Sequence, residues 1–137
     1  MPSAQPHPLV ALIAAADRAI NAEDFDALMT FYADDALLVV LPGRHVTGLG
    51  DIRKAFVGIA EHFDHTLHVT QRELVVLESG DTALACARTH VAATMKGGER
   101  YDQERRATYV FRRWMGGVWR CVIDNSYGTE LLARAGA

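Results

Sequence analysis

The chain has 137 residues, of which 50% are hydrophobic and 23% charged, as expected for one globular domain, here 1–137, with a sizeable core. The formal net charge of −3 gives no signal for a polyanion, so no nucleic acid partner is expected. No apolar run approaches the ~20 residues of a membrane span, and Met1–Pro8 lacks the basic and apolar parts of a signal peptide. These features predict a cytoplasmic protein that does not contact membranes.

The first third of the chain predicts two helices followed by a strand pair. Pro8 suits a first helical turn, and apolar residues then recur at helical spacing up to Asn21. Asn21 is a suitable cap for a second helix, which is predicted to end at Asp34–Asp35. The following strand pair consists of Ala36–Leu41, a Pro-Gly turn and Arg44–Thr47.

A third helix is predicted to begin within Gly48–Asp51, because the apolar residues beyond it are again spaced for one helical face. The pattern then changes to period two in four long runs separated by Gly-containing breaks. The runs are His65–Glu78, Thr82–Met95, Arg100–Trp114 and Val118–Ser126. Helices followed by an antiparallel meander predict an α+β fold, and Thr129 is a candidate cap for a short last helix.

The stretch from Phe31 to Phe56, with its Ala-Asp-Asp-Ala element, Pro-Gly turn and Gly-Leu-Gly-Asp helix start, resembles the signature of the nuclear-transport-factor-2-like superfamily. This superfamily includes ketosteroid isomerase, the SnoaL-like polyketide cyclases and the calcium/calmodulin-dependent kinase II association domain. The resemblance implies a cone, in which a strongly curved sheet wraps around the helices and encloses an apolar pocket. It also implies a homodimer that pairs through the outer sheet faces, which would cover Trp114 and Trp119.

Alignment with ketosteroid isomerase places one alternating set of each late strand inside the cone. In the second long strand this is the even set, which contains Arg88 and His90. The five polar residues predicted to form the site are Tyr32, Arg88, His90, Tyr109 and Asp124. In this hypothesis Asp124 orients His90 as the general acid or base, while Arg88 and Tyr109 hold a carboxylate or developing oxyanion and Tyr32 positions the substrate.

Other interpretations of the same residues remain open. Arg88 and Asp124 would alternatively form a buried ion pair that only stabilises the sheet, and a shift of one residue would turn His90 towards solvent. Tyr32 and Tyr109 are alternatively core aromatics with a satisfied hydroxyl group.

No metal or organic cofactor is expected. His62, His65 and His68 are spaced by three, but they span a predicted helix end, and the chain has neither GxGxxG nor a P-loop. The two cysteines, Cys86 and Cys121, match no metal-binding spacing and are predicted to be free thiols on non-neighbouring strands and opposite sheet faces.

The chain also departs from ketosteroid isomerase, because Val39, Val40 and Leu41 stand where that enzyme has its carboxylate base. Steroid isomerisation by that mechanism is therefore not expected. The leading hypothesis is a SnoaL-like protein that binds a small apolar organic molecule and performs acid/base proton transfer on it, as an isomerase, cyclase, dehydratase or hydrolase. The alternative is a non-catalytic ligand-binding or oligomeric association domain.

Overall fold

A computed structural model describes residues 7–135. The first six residues and the last two lie outside the described range. Most of Met1–Pro8, the segment in which no signal peptide is expected, is therefore not described. The elements in chain order are α1 (Pro8–Ala22), α2 (Phe25–Met29), β1 (Tyr32–Leu41), β2 (Arg44–Thr47), α3 (Leu49–His62), β3 (His68–Ser79), β4 (Thr82–Thr94), β5 (Arg100–Arg113), β6 (Trp119–Asn125) and α4 (Glu130–Ala135).

The six strands form one curved, open sheet in the order β2-β1-β6-β5-β4-β3. Neighbouring strands are antiparallel except for β1 and β6, which are parallel. The predicted antiparallel meander of the last four strands is therefore confirmed. Helices packed on one side of this sheet confirm the α+β class and the curved-sheet architecture.

The start of β1 corrects one boundary prediction. Tyr32 was expected at the end of the second helix, but α2 ends at Met29 and Tyr32 is the first residue of β1. The backbone N–H of Cys121 donates to the carbonyl of Phe31 at 2.9 Å, and Tyr32 pairs with Cys121 in the parallel ladder. Pairing with β6 therefore extends the chain before the predicted stop at Asp34–Asp35.

The core lies between the helices and the inner face of the sheet. Leu9 and Ile13 of α1, and Ile52 of α3, are at most 1% exposed and pack among inward residues of the sheet such as Phe111. The predicted apolar stripes of the first and third helices are thus the buried faces. The ring of Phe31 meets those of Tyr32, Tyr109 and Phe111 edge-on, with centroids 5.0 to 6.2 Å apart, a geometry that aromatic rings favour.

Strand β4 faces the opposite way from the prediction. Its odd-numbered residues are buried, among them Ala83, Ala85, Ala87 and Thr89, whereas the even-numbered residues are exposed or half-buried. Small side chains on the inner face leave room for the helices and for the cavity they enclose. The even set, which alignment with ketosteroid isomerase put inside, is the outer face.

Strands β5 and β6 face largely as predicted. Ala107, Tyr109 and Phe111 of β5 are buried, as is Asp124 of β6. A register shift between Val110 and Phe111 interrupts the alternation opposite β6. Because of this shift Cys121, expected on the outer face, is buried together with Asp124.

The two cysteines are free and lie on opposite faces, as predicted, although the faces are exchanged: Cys86 is exposed and Cys121 is buried. Trp119 is also buried, with Arg113 over its ring, so of the two tryptophans only Trp114 is substantially exposed. Among the described residues, no helix combines the length and apolar character needed to cross a membrane.

Candidate functional site

A cavity of about 1000 Å³ lies between α1, α3 and the inner face of the sheet. Its lining includes apolar side chains of α3 and β1, with Phe56 and Leu38 among them, and a few polar groups, as small-molecule sites usually have. The exposed residues Leu41, Arg44 and Lys54 also line it, so the cavity reaches the protein surface. Asp17, Tyr109 and Asp124 line it as buried residues.

Asp124 is held by one hydrogen bond and is otherwise unpartnered. The Tyr32 hydroxyl donates to its Oδ2 atom at 2.6 Å, and both residues are buried. The second carboxyl oxygen, Oδ1, has no hydrogen-bond partner among the described residues. Buried polar atoms are rarely left unpaired unless they serve another purpose. One oxygen of Asp124 is thus anchored, while the other is buried without a hydrogen-bond partner among the described residues.

A second buried carboxyl group, that of Asp17 on α1, lies on the same cavity. The Gln71 amide donates to Asp17 Oδ1 at 3.3 Å and to the Tyr109 hydroxyl at 3.4 Å. Gln71 is itself fixed by the Thr89 hydroxyl, which donates to its Oε1 at 2.9 Å. Residues from α1, β3, β4 and β5 therefore form one hydrogen-bonded network beside Asp124.

Burial changes the acidity of both carboxyl groups. It raises the pKa of Asp124 to about 6, and the hydrogen bond from Tyr32 partly opposes this shift. Burial is also the main cause that raises the pKa of Asp17 to about 7; Gln71 opposes it, and the negative charge of Asp124 adds to it. The protein therefore places two acid/base groups near neutral pH in one cavity, which is common in catalytic sites.

The two tyrosines remain neutral hydrogen-bond donors. Burial, followed by the charge of Asp124, raises the pKa of both Tyr32 and Tyr109 well above the ordinary value. Tyr109 lies opposite Asp124 in the β5–β6 ladder and lines the cavity. Tyr32 is not among the described residues that line the cavity, so its effect on a bound molecule would pass through Asp124.

Besides Tyr32, two more of the five predicted site residues do not line the cavity. Arg88 and His90 are on the outer face of β4, where Arg88 pairs with Glu73 at 3.3 Å and Glu104 at 3.2 Å. The His90 Nε2 atom lies 2.7 Å from Asp102. The predicted pairs of Asp124 with His90 and with Arg88 are therefore wrong, because β4 presents its alanines, not its long polar residues, to the helices.

Sequence reasoning missed Asp17, Gln71 and Thr89. Asp17 had a detectable signal, since it follows Ile13 by four residues and an acidic residue within an apolar helical stripe is unusual. Thr89 is only 3% exposed and belongs to the odd set of β4 that was assigned outward. Gln71 precedes a register shift in β3, so alternation alone did not specify its face.

The fold and the site can be compared with known proteins. The sequence model described as the SnoaL-like domain matches residues 9–124. No curated protein sequence matches this chain significantly.

Solved structures with the same fold are numerous. Aln2 from a Streptomyces species superposes with a TM-score of 0.77 at 20% identity, covering 96% of this chain and 99% of its own. A protein with a cystatin-like fold from Caulobacter vibrioides gives 0.73 at 18% identity and 92% coverage of both chains. A ketosteroid isomerase-like protein from Erwinia carotovora atroseptica gives 0.68 at 23% identity, covering 84% of this chain and 88% of its own. At these identities the likeness shows the fold alone.

Proposed function

Because the chain belongs to the SnoaL-like domain family, we propose that its cavity binds a small, largely apolar organic molecule and transfers a proton on it. The observation that carries this proposal is Asp124, whose free Oδ1 atom belongs to a buried carboxyl group anchored by Tyr32. A base must have its pKa near the working pH and reach the proton it removes. The pKa of Asp124, about 6, meets the first requirement.

The proposed reaction begins with removal of a proton from a carbon next to a carbonyl group. The C–H bond breaks, the proton passes to Asp124, and the electron pair moves onto the carbonyl oxygen to form an enolate. The neutral Tyr109 hydroxyl, which lines the same cavity, donates a hydrogen bond to that oxygen. Asp17, with a pKa of about 7, is partly protonated at neutral pH and supplies a proton to the enolate at a second position.

This assignment replaces His90 with Asp17 as the second proton-transfer group. His90 lies on the outer face, whereas Asp17 and Asp124 line one cavity and influence each other electrostatically. Different environments give the two carboxyl groups different pKa values, the pattern expected of an acid and a base in one site. The function does not require a metal or an organic cofactor.

The test uses 2-tetralone, an apolar bicyclic ketone with acidic C–H groups, in deuterated buffer. Proton NMR measures how fast its C–H groups exchange in the presence of the protein. We expect the wild-type protein to accelerate exchange and Asp124→Asn to lose ~10²-fold or more of that acceleration, the usual contribution of a general base. Asp102→Asn makes the same chemical change on the outer face and should leave the exchange rate unchanged.

Two results would contradict the proposal. Acceleration that survives Asp124→Asn would exclude Asp124 as the base, and an equal loss in Asp102→Asn would show that the effect is not local to the cavity. Binding of 2-tetralone without acceleration would favour the alternative, a ligand-binding or association domain without catalysis.

A further inference from the structure

Arg105 is a positively charged residue on the inner face of β5. The proposed proton transfer does not involve it. Arg105 is half-buried, lines the cavity, and has the same strand parity as Ala107 and Tyr109. Its Nη2 atom donates to the Tyr101 hydroxyl, and its guanidinium carbon lies 4.6 Å from the centroid of the Tyr127 ring. Two aromatic side chains thus fix the plane of the guanidinium group at the cavity wall.

Arg105 lacks a counter-ion among the described residues. Among the described residues, the arginines that lie within 4.0 Å of a carboxylate are Arg53, Arg88 and Arg113, and their partners are exposed or half-buried. Arg105 forms no such pair. The Nε atom of Arg105 is shielded from solvent and has no hydrogen-bond partner. A shielded donor on a charged group is costly unless something pairs with it. The unpaired cation in the cavity wall therefore points to a negatively charged partner from outside the chain.

We propose that Arg105 is the anion-binding group of this cavity and that the ligand is an apolar organic acid whose carboxylate pairs with the guanidinium. The inference rests on the proposed function, in that it takes this cavity as the binding site of a small organic molecule. The planar guanidinium fork matches a carboxylate, which accepts two parallel hydrogen bonds. Tyr101 and Tyr127 hold the fork in place before the ligand arrives, which reduces the entropy lost on binding.

The position of Arg105 also orients the ligand. Arg105 precedes Tyr109 by four residues on the same strand face, about 13 Å at ~3.3 Å per residue, and Tyr109 lies opposite Asp124 in the next strand. The carboxylate therefore binds at Arg105, and the reacting carbon lies at a distance from it, beside Asp124. Apolar side chains that line the same cavity, Leu38 and Phe56 among them, are available to contact the apolar body of the ligand. The substrate class is an acid whose carboxylate is remote from the carbon that exchanges its proton.

The experiment compares 2-naphthoate with 2-naphthamide, which share an apolar body and differ in charge. Isothermal titration calorimetry at neutral pH measures the affinity of the wild-type protein for each. We expect naphthoate to bind about tenfold more tightly or better, because hydrogen bonds between charged groups are the stronger ones. Arg105→Gln should abolish this preference, and Arg88→Gln, which removes an exposed positive charge from the outer face of β4, should retain it.

A second measurement uses only the wild-type protein, so its result does not depend on whether the Arg105→Gln variant folds. The Nε–H group of Arg105 gives its own signal in ¹⁵N-correlated NMR spectra of the wild-type protein. Naphthoate should shift this signal and naphthamide should leave it nearly in place. Arg105→Lys, which keeps the charge but loses the fork, should retain only part of the preference.

The proposal is overturned if the wild-type protein binds both probes equally or binds neither. It is also overturned if Arg105→Gln folds and keeps the preference, or if the Nε–H signal does not respond to naphthoate. These outcomes are distinct from failure of the proposed function. An Arg105-dependent preference combined with proton exchange that is unaffected by Asp124→Asn would keep the anion site and refute the proton-transfer role.

Discussion

The polar groups on the two faces of strands β4, β5 and β6 differ in how they are paired. On the outer face, Arg88 and His90 are paired with neighbouring carboxylates in contact with solvent. On the inner face, the Asp124 carboxyl group and the Arg105 guanidinium are partly unpaired, although both line a cavity. Exposed ion pairs contribute little to stability, whereas unpaired buried groups cost free energy. Stability of the fold therefore does not explain why Asp124 and Arg105 stand on the inner face.

The largest expected effect is the pH dependence of stability. Folding raises the pKa of Asp17 and Asp124 above the ordinary value of 3.8, to about 7 and about 6. The folded protein then binds more protons than the unfolded chain above pH ~4, so stability is greatest in acid and falls as the pH rises through ~7. At 1.36 kcal/mol per pKa unit, we expect a loss of about 2–4 kcal/mol between pH 5 and pH 8.

Urea unfolding at the two pH values measures this loss, and matched variants locate it. Asp17→Asn should remove the larger part of it, whereas Asp102→Asn should not, because the His90 hydrogen bond lowers the pKa of Asp102 and its contribution is lost only in stronger acid. His65, whose pKa is raised by Glu23, contributes in the same direction as Asp17, so the comparison is best made in a His65→Gln background. A free energy of unfolding that does not change between pH 5 and pH 8 would contradict the raised pKa values of the inner-face carboxyl groups.

The homodimer stays a prediction, and it concerns the outer face. Leu77 pairs with Leu84, Leu84 with Val110 and Val110 with Ile123, which makes an apolar row across four strands. Leu77 is 60% exposed and Ile123 is 42% exposed, a surface that a second copy would cover. Leu84→Lys should weaken association at least tenfold, which corresponds to ~1.4 kcal/mol. Analytical ultracentrifugation measures it, and a wild-type monomer at micromolar concentration would contradict the prediction.

A comparable effect, confined to the inner face, is expected from Tyr32→Phe, which deletes the hydroxyl that donates to Asp124. Leaving Oδ2 buried without a partner should destabilise the fold by about 1–2 kcal/mol. The hydrogen bond lowers the pKa of Asp124, so its loss should raise that pKa further above 6. The pH at which the base becomes ionised would then move upwards, and the pH profile of 2-tetralone exchange would move with it. An unchanged profile would mean that Tyr32 does not control Asp124.

The smallest effect is expected from Arg88→Gln on the outer face. Its carboxylate partners, Glu73 and Glu104, are solvent-exposed, so the free energy of unfolding should change by less than about 0.5–1 kcal/mol. The alternative hypothesis of a buried Arg88–Asp124 pair implies a cost of roughly 3–5 kcal/mol instead. Chemical denaturation distinguishes the two values.

The α+β class could be predicted from the residues, because the helices carry clear apolar stripes and the late strands are divided by glycine-containing turns. The curved-sheet architecture was implied by the resemblance to the superfamily. The alignment with ketosteroid isomerase places Ala107, Tyr109 and Phe111 of β5 inside, and these residues are buried. In β4 the residues themselves indicated the correct face: Ala83, Ala85 and Ala87 form an apolar alternating set. The prediction is wrong there because the alignment with ketosteroid isomerase places the even set inside, whereas the small side chains of the odd set pack towards the helices.

The candidate site was less predictable for a different reason. It is assembled from single residues of α1, β1, β3, β4, β5 and β6, and two strand irregularities decide which side chains meet. One irregularity, between Val110 and Phe111, accompanies the burial of both Cys121 and Asp124. Alternation cannot place two residues three positions apart on one face. The pairing of Asp17 with Gln71 likewise depends on how α1 packs against β3.

The central claim is that the cavity holds two carboxyl groups that titrate near neutral pH. Its most direct test is ¹³C NMR titration of the Asp17 and Asp124 side-chain carboxyl groups, with Asp102 as the outer-face reference. We expect pKa values of about 7 for Asp17 and about 6 for Asp124, and a lower pKa for Asp17 in the Asp124→Asn variant because the neighbouring charge is gone. Values near the ordinary 3.8 for both inner carboxyl groups would contradict it.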